Sequence, residues 1–295
     1  MKFLKSSLKP FLLPRILRVR AKNAAQHAGM SIKFASDHVE FSKGNNSVRI
    51  SPGQLRYYDT IIDQFEVYTN AVMPDEIEYK SVVDFSRPRW HVLSKSRKHV
   101  FLNGFSEGDD LIKEYVDALK PKVGMCALDL GANCGLVTMA LSDSVGEMGK
   151  VVSVEADPKN FAALELNVSH LSNVVTLKAA VYDSDGEISF SSDGSMGASI
   201  SSRGNVKVKT YKLDSLIKVS GLDRLDIVKM DIEGAEMLIL PRASDFLNEY
   251  RATWVIEVHD KQSGKSILKN VFSECGYDVD ILSDWPAPII RCTPR

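Results

Sequence analysis

Long apolar runs are missing from this chain. No stretch approaches the roughly 18 apolar residues needed to cross a bilayer. Phe11-Leu12-Leu13, flanked by Pro10 and Pro14, is too short for a signal-peptide core. Cysteine is scarce: the four, at positions 126, 134, 275 and 292, form neither a C-x-x-C pair nor a disulfide-like spacing. They read as reduced, mostly buried thiols of a cytoplasmic protein. Net charge is nearly absent as well. Lys and Arg total 37 against 38 Asp and Glu, so the whole chain offers no electrostatic case for nucleic acid, and no such partner is expected.

One local absence is sharper. Lys2, Lys5, Lys9, Arg15, Arg18, Arg20, Lys22 and Lys33 precede the first acidic residue, Asp37. A basic, acid-poor leader over residues 1–36 is compatible with peripheral membrane contact or a transit peptide. The plainer reading, a docked or frayed leader with solvated charges, is the one adopted here.

The remaining chain divides by pattern. Ser31 to Ser51 alternates in patches around Gly44-Asn45-Asn46, which predicts a β-hairpin turning at that glycine. Leu55, Tyr58, Ile62 and Phe65 recur at helical spacing, so 52–72 reads as one helix. Short strands at 82–85 and 99–102 complete an N-terminal α+β cap over 37–105. From 106 to 295 the pattern becomes a regular alternation. Strands are expected at 125–130, 151–154, 174–181, 227–231, 254–258 and 277–282. Helices are expected at 107–119, from 137, and at 161–171, 235–246 and 265–274. Near-continuous apolar strands between helices argue for a parallel sheet covered on both faces. The pause at 183–214 holds two antiparallel additions, 188–190 and 206–209, and the Ser/Gly-rich stretch 191–204, a lid candidate.

Two motifs carry chemistry. Leu128-Asp129-Leu130-Gly131-Ala132-Asn133-Cys134-Gly135 places a glycine loop between a strand and a helix, where α/β sheets bind ligands. Glu155 ends the next strand, twenty positions after Gly135, and suits the two hydroxyls of a ribose. A dinucleotide loop would read G-x-G-x-x-G, with a pyrophosphate at the helix N-terminus. This loop is G-x-x-x-G, and Asp129 beside it repels a pyrophosphate but attracts the ammonium of a methionyl group. S-adenosylmethionine is therefore favoured over nicotinamide.

The second motif, Lys229-Met230-Asp231-Ile232-Glu233-Gly234-Ala235-Glu236, follows another apolar run. It has neither the proline pair nor the aromatic of enzymes that methylate nucleobase amines. Acidic groups there suit a hydroxyl acceptor, as hydrogen-bond acceptors or, less favoured, as ligands of a divalent metal at Asp231 and Glu233. His259, Asp231 and Glu257 are the candidate proton acceptors; His259 stands out because an unperturbed imidazole titrates near neutrality. Trp254 and Trp285 are the candidate sugar-stacking residues, with Trp254 better read as core.

These residues resemble the FkbM-type S-adenosylmethionine-dependent methyltransferases. The resemblance runs from about Ser86 to Asp280 and rests on Leu128 to Asn133, Val154-Glu155, Leu166-Asn167, Ser184-Asp185-Gly186, Val228 to Glu236 and Ile256-Glu257-Val258-His259. It implies a Rossmann-like class I methyltransferase sheet, mostly parallel, with helices on both faces and an antiparallel strand near the C-terminus. It implies S-adenosylmethionine bound by Asp129, Gly131, Asn133, Gly135, Glu155 and Asp231. The implied activity is O-methylation of a small molecule, sugar or glycolipid. The alternatives are an amine or protein methyltransferase, or a cofactor-binding protein without catalysis. The family's Glu-Pro after the second strand is Glu155-Ala156-Asp157-Pro158 here, and Cys134 replaces a branched apolar residue.

Overall fold

A computed structural model describes residues 9–105, 109–191, 199–200, 206–260, 262–284 and 287–295. The chain forms two compact units, residues 1–110 and 111–295. In the first, helix α1 (Lys9–His27) precedes a sheet of β1 (Ser31–Phe34), β2 (Val39–Lys43), β3 (Asn46–Ile50), β4 (Asp75–Ile77) and β5 (Lys80–Phe85), ordered β1-β2-β3-β5-β4. The turn at Gly44 joins β2 to β3, and β1 adds a third antiparallel strand beyond the expected hairpin. Arg15, Arg18, Arg20 and Lys22 are exposed on α1 while Ala21 and Ala25 are fully buried, so the charges are solvated and the small residues dock the helix. Among the described residues no helix is long and apolar enough to cross a membrane.

The single helix expected at 52–72 is instead three pieces: a 3₁₀ turn Pro52–Tyr57, α2 (Tyr58–Asp63) and α3 (Phe65–Ala71). Gln64, at φ −111° and ψ 21°, breaks the last two apart. Strands β6 (Arg89–Val92) and β7 (His99–Leu102) form a separate antiparallel pair.

Helix α4 (Asp109–Leu119) leads into the second unit. Its elements are β8 (Cys126–Leu130), α5 (Leu136–Val145), β9 (Lys150–Glu155), α6 (Pro158–Val168), β10 (Val174–Lys178), β11 (Ala180–Val181), β12 (Gly186–Ser191), β13 (Ser199–Ile200), β14 (Val206–Tyr211), α7 (Leu213–Ser220), β15 (Ile227–Met230), α8 (Glu236–Ile239), α9 (Ser244–Tyr250), β16 (Thr253–Glu257), α10 (Gly264–Glu274), β17 (Tyr277–Ser283) and β18 (Ile289–Pro294). The main sheet runs β10-β9-β8-β15-β16-β18-β17. Its first five strands are parallel, and β18 inserts antiparallel between β16 and β17. The chain starts at the centre, moves out one way, then the other: this is the expected Rossmann-like order.

Strand alternation decides which side each helix covers. Ala127, Val151, Ile227 and Val255 pack with Tyr115 and Leu119 of α4 and Val137 and Leu141 of α5. Leu128, Val152, Val228 and Trp254 point the other way, against α7, α9 and α10, so Trp254 is core as expected. Both faces are thus covered, and the central strands are apolar on both sides except for the buried Asp129, Ser153 and Lys229.

Three other expectations are corrected. The strand expected at 174–181 is two, because Ala179 separates β10 of the main sheet from β11, which pairs with β14 in a small four-stranded sheet. The helix expected at 235–246 breaks at Pro241, which cannot donate an amide, into α8, a 3₁₀ turn Leu240–Arg242 and α9. Strand β18, after Pro288, is an addition to the expected strands. The two strands expected in the pause do pair antiparallel, as β12 and β14. Of the lid candidate 191–204, residues 192–198 and 201–204 lie outside the described residues, as does Trp285.

Helix α6 begins with an Asp157 cap, whose carboxylate accepts the amides of Lys159 (2.7 Å) and Asn160 (3.3 Å). Asp157→Ala should lower the unfolding free energy by about 1 kcal/mol in urea titration; unchanged stability would show that the cap contributes nothing.

Candidate functional site

The order of the main sheet reverses between β8 and β15, which opens a crevice at the carboxyl ends of the strands. Gly131 and Asn133 follow β8, Glu155 ends β9, Asp231 follows β15, Glu257 ends β16 and His259 follows it. A cavity there is lined by Gly131, Asn133, Glu155, Asn160, Asp231 and Glu233, with an apolar side that includes Ala179, Val181 and Phe190.

Glycine at 131 is required twice. Its φ is +76°, and a Cβ would lie 1.7 Å from the carbonyl oxygen of Asp231. The glycine loop and the acidic motif are therefore in backbone contact. Gly135, at φ +87°, caps α5, and its Cβ would meet Leu164 at 2.6 Å. That glycine serves helix packing and does not line the cavity. Asn167 anchors the same loop by donating to the Cys134 carbonyl at 2.7 Å, and Cys134 is buried packing. Asp185 has a similar structural task, accepting from the Lys212 amide and the Ser215 hydroxyl at the start of α7.

Asp129 departs from expectation. Its side chain is 0% exposed, with Oδ2 accepting from the Thr138 hydroxyl at 2.7 Å and Oδ1 3.6 Å from Lys229 Nζ. Its strand position turns it toward Thr138 of α5, and it does not line the cavity. Lys229, its register neighbour on β15, was missed in the sequence. Its buried ammonium donates to the Gly131 carbonyl at 2.6 Å, lies 3.8 Å from Asp231 and sits over the Tyr115 ring. The signal was available: a lysine inside a fully apolar strand is rarely buried without ionic partners.

Glu155 lines the cavity with both oxygens engaged, Oε2 by the Asn133 amide (2.8 Å) and Oε1 by the Asp157 amide (2.7 Å). Burial pushes its carboxyl up to about 7, against the pull of those amides.

The acidic motif folds around His259. Glu236, 0% exposed, accepts from the His259 amide at 2.8 Å and lies 3.2 Å from Nδ1. Its other oxygen accepts from the Gly234 amide, closing a turn in which Glu233 is left-handed at φ 54°. The opposite edge of the ring, Nε2, faces Asp231 and Glu233 at 3.6 Å each and Glu257 at 3.9 Å. Tyr115 donates to Glu257 at 2.8 Å. Asp231 and Glu233 belong both to this cluster and to the cavity lining; Glu257 does not line the cavity.

Crowded carboxylates overturn the expectation of a near-neutral histidine. Burial alone would favour the neutral ring, but the Glu236 hydrogen bond and the charges of Asp231, Glu233 and Glu236 raise its pKa to about 9. Burial and the neighbouring Asp231 and Glu257 charges push Glu233 up to about 7, although His259 opposes this. Glu257 is also raised, by burial first and then by Asp231. Near neutral pH the site is an imidazolium ringed by carboxyl groups. Ligand atoms of Asp231, Glu233 and His259 lie within 4.8 Å of one another, so His259 adds a third possible donor to the two acids. A divalent ion there would first have to displace the ring proton.

The family model for the methyltransferase FkbM domain matches residues 129–279, just over half of the chain. The chain belongs to the FkbM family of S-adenosylmethionine-dependent methyltransferases. Among curated proteins, the hexuronic acid methyltransferase AglP of Haloferax volcanii is 26% identical over 157 residues, covering 52% of this chain and 63% of that protein. A protein-L-isoaspartate O-methyltransferase of Triticum aestivum is 33% identical over 134 residues, covering 45% of this chain and 46% of its own length. The chain thus spans under two thirds of each. A solved FkbM methyltransferase from Methylobacillus flagellatus is 15% identical, with a TM-score of 0.45, covering 93% of this chain and 59% of that one.

The raised His259 makes a stability prediction. Its folded pKa exceeds the ordinary 6.5, so the stability it contributes is complete below that value and lost as pH rises through about 9. Relative to His259→Gln, the wild type should lose about 3 kcal/mol of unfolding free energy between those limits. Parallel pH profiles for the two proteins would contradict the imidazolium.

Proposed function

We propose that the crevice binds S-adenosylmethionine and methylates a hydroxyl oxygen of a sugar or other small molecule. The observation that carries this reading is that Asp231 and Glu233 line the same cavity as Glu155 while also facing His259. One cavity thereby joins a ribose-type acid to a cluster able to take a proton. The curated relative whose printed activity is hexuronic acid methylation supports a sugar acceptor.

The fit rests on the chain's own groups. Glu155, fixed by two backbone amides, presents its remaining lone pairs for the ribose hydroxyls, and Ala179, Val181 and Phe190 give an apolar seat for the base. When bound, the cofactor supplies a methyl group already activated by a sulfonium. The protein's remaining work is to orient the acceptor and receive its proton. Asp231 is the proton acceptor in this reading, because His259 already carries its proton. The imidazolium holds Asp231 and Glu257 in place, and Tyr115 fixes Glu257 from behind.

Two substitutions separate the halves of the site. Glu155→Ala should weaken S-adenosylmethionine binding about ten- to a hundredfold in isothermal titration; unchanged affinity would remove Glu155 from the ribose. His259→Ala should leave that affinity nearly intact but lower turnover about a hundredfold. Turnover is read as S-adenosylhomocysteine release with a hexuronic-acid glycan as acceptor. Wild-type turnover in the variant would take His259 out of the reaction.

A further inference from the structure

The N-terminal unit carries a second cleft, of about 240 Å³, that has no part in the methyl-transfer reading. It lies between the start of β4, strand β5 and the β6–β7 pair, and its chemistry comes from Asp75, Asp84, Arg89, Trp90, His91 and His99. Trp90 is 53% exposed although it is among the largest apolar side chains in the protein. The edge-to-face contact with Phe101, at 5.6 Å between ring centres, holds it from one side. An indole kept in solvent and braced by a second ring is a stacking platform more than a packing residue.

Beside it stands a row of alternating charges. Arg89 Nη1 lies 2.8 Å from Asp75 Oδ2 and 3.5 Å from Asp84 Oδ2. The Ser86 amide occupies the other oxygen of Asp84 and fixes that carboxylate. His91 is nine-tenths buried in the lining, and its Nε2 has no hydrogen-bond partner among the described residues. Burial, with Arg89 beside it, pulls its pKa down to about 4, so the ring is neutral. The row therefore sets one guanidinium between two carboxylates.

That balance selects a ligand. The two carboxylates disfavour phosphates and uronates, and Arg89 between them disfavours a cation. Carboxylates only accept hydrogen bonds and a guanidinium only donates them, whereas each hydroxyl of a sugar does both. A pyranose also has an apolar C–H face to lay on an indole. The volume is below the roughly 300–1,000 Å³ of drug-sized sites, which favours one ring over a longer chain. We propose that this cleft is a binding site for a neutral sugar residue, stacked on Trp90 and hydrogen-bonded along Asp75, Arg89 and Asp84.

The test is a fluorescence titration of the full chain with maltotriose, cellotriose and mannotriose, with adenosine as the comparison ligand. At least one trisaccharide should give a saturable change in tryptophan emission. Trp90→Ala should abolish the change, and Asp75→Asn should weaken binding about two- to tenfold. Circular dichroism checks the fold of both variants. If Trp90→Ala does not fold, Asp75→Asn, whose side chain is 43% exposed, still decides the outcome. S-adenosylmethionine affinity should be the same in the Asp75→Asn variant as in the wild type, which keeps this result distinct from the methyl-transfer reading. The proposal is overturned by no saturable change with any of the three sugars, by a change that Asp75→Asn leaves at full strength, or by saturation with adenosine alone.

Discussion

A single buried ammonium ties the crevice together. Lys229 sits on β15 directly opposite Asp129 on β8, and its Nζ reaches the Gly131 carbonyl, Asp129 and Asp231. Removing one partner from such a buried pair typically costs about 3–5 kcal/mol, because the remaining charge is stranded. Asp129 has no exposure, and its Oδ1 has no hydrogen-bond partner among the described residues, so it depends on the Lys229 charge. The same ammonium holds the glycine loop to the acidic motif, which already touch at the backbone through Gly131 and Asp231. Loop and acid are therefore positioned as one body.

Around that anchor the charges are arranged so that few can change independently. Glu236, buried and held below the usual carboxylate range by its hydrogen bonds from His259, fixes one edge of the ring. Asp231, Glu233 and Glu257 crowd the other edge, and their mutual repulsion is relieved by protons: one on His259 and, near neutrality, a share on Glu233. A site of this kind resists the entry of another proton at the imidazole but accepts one at a carboxylate. In the proposed reaction the acceptor's proton would therefore go to the carboxylate at the strand end, with the histidine positioning it.

Much of this was legible in the sequence, and the failures have physical causes. Apolar strands with turn residues between them gave the sheet, and the acidic residues at the ends of β9 and β15 gave two sides of the cavity. Asp129 and Gly135 were assigned to the ligand by proximity in sequence, but strand alternation turns Asp129 inward and helix packing claims Gly135. Lys229 was passed over because the motif was read for its acids. Helix breaks at Gln64 and Pro241 came from backbone geometry and a missing amide, which a periodic pattern does not encode. The β18 insertion depends on an edge pairing with β16 that only the tertiary structure specifies. The imidazolium needed distances: four carboxylates near one ring cannot be counted from residue types alone.

The central claim, that the cavity between the glycine loop and Asp231 is the cofactor site, is tested most directly by a crystal structure grown with S-adenosylhomocysteine. The account predicts the ribose hydroxyls within hydrogen-bonding distance of Glu155, the base against Ala179, Val181 and Phe190, and the sulfur directed toward Asp231. A nucleoside bound elsewhere, or in this cavity without contact to Glu155, would contradict it.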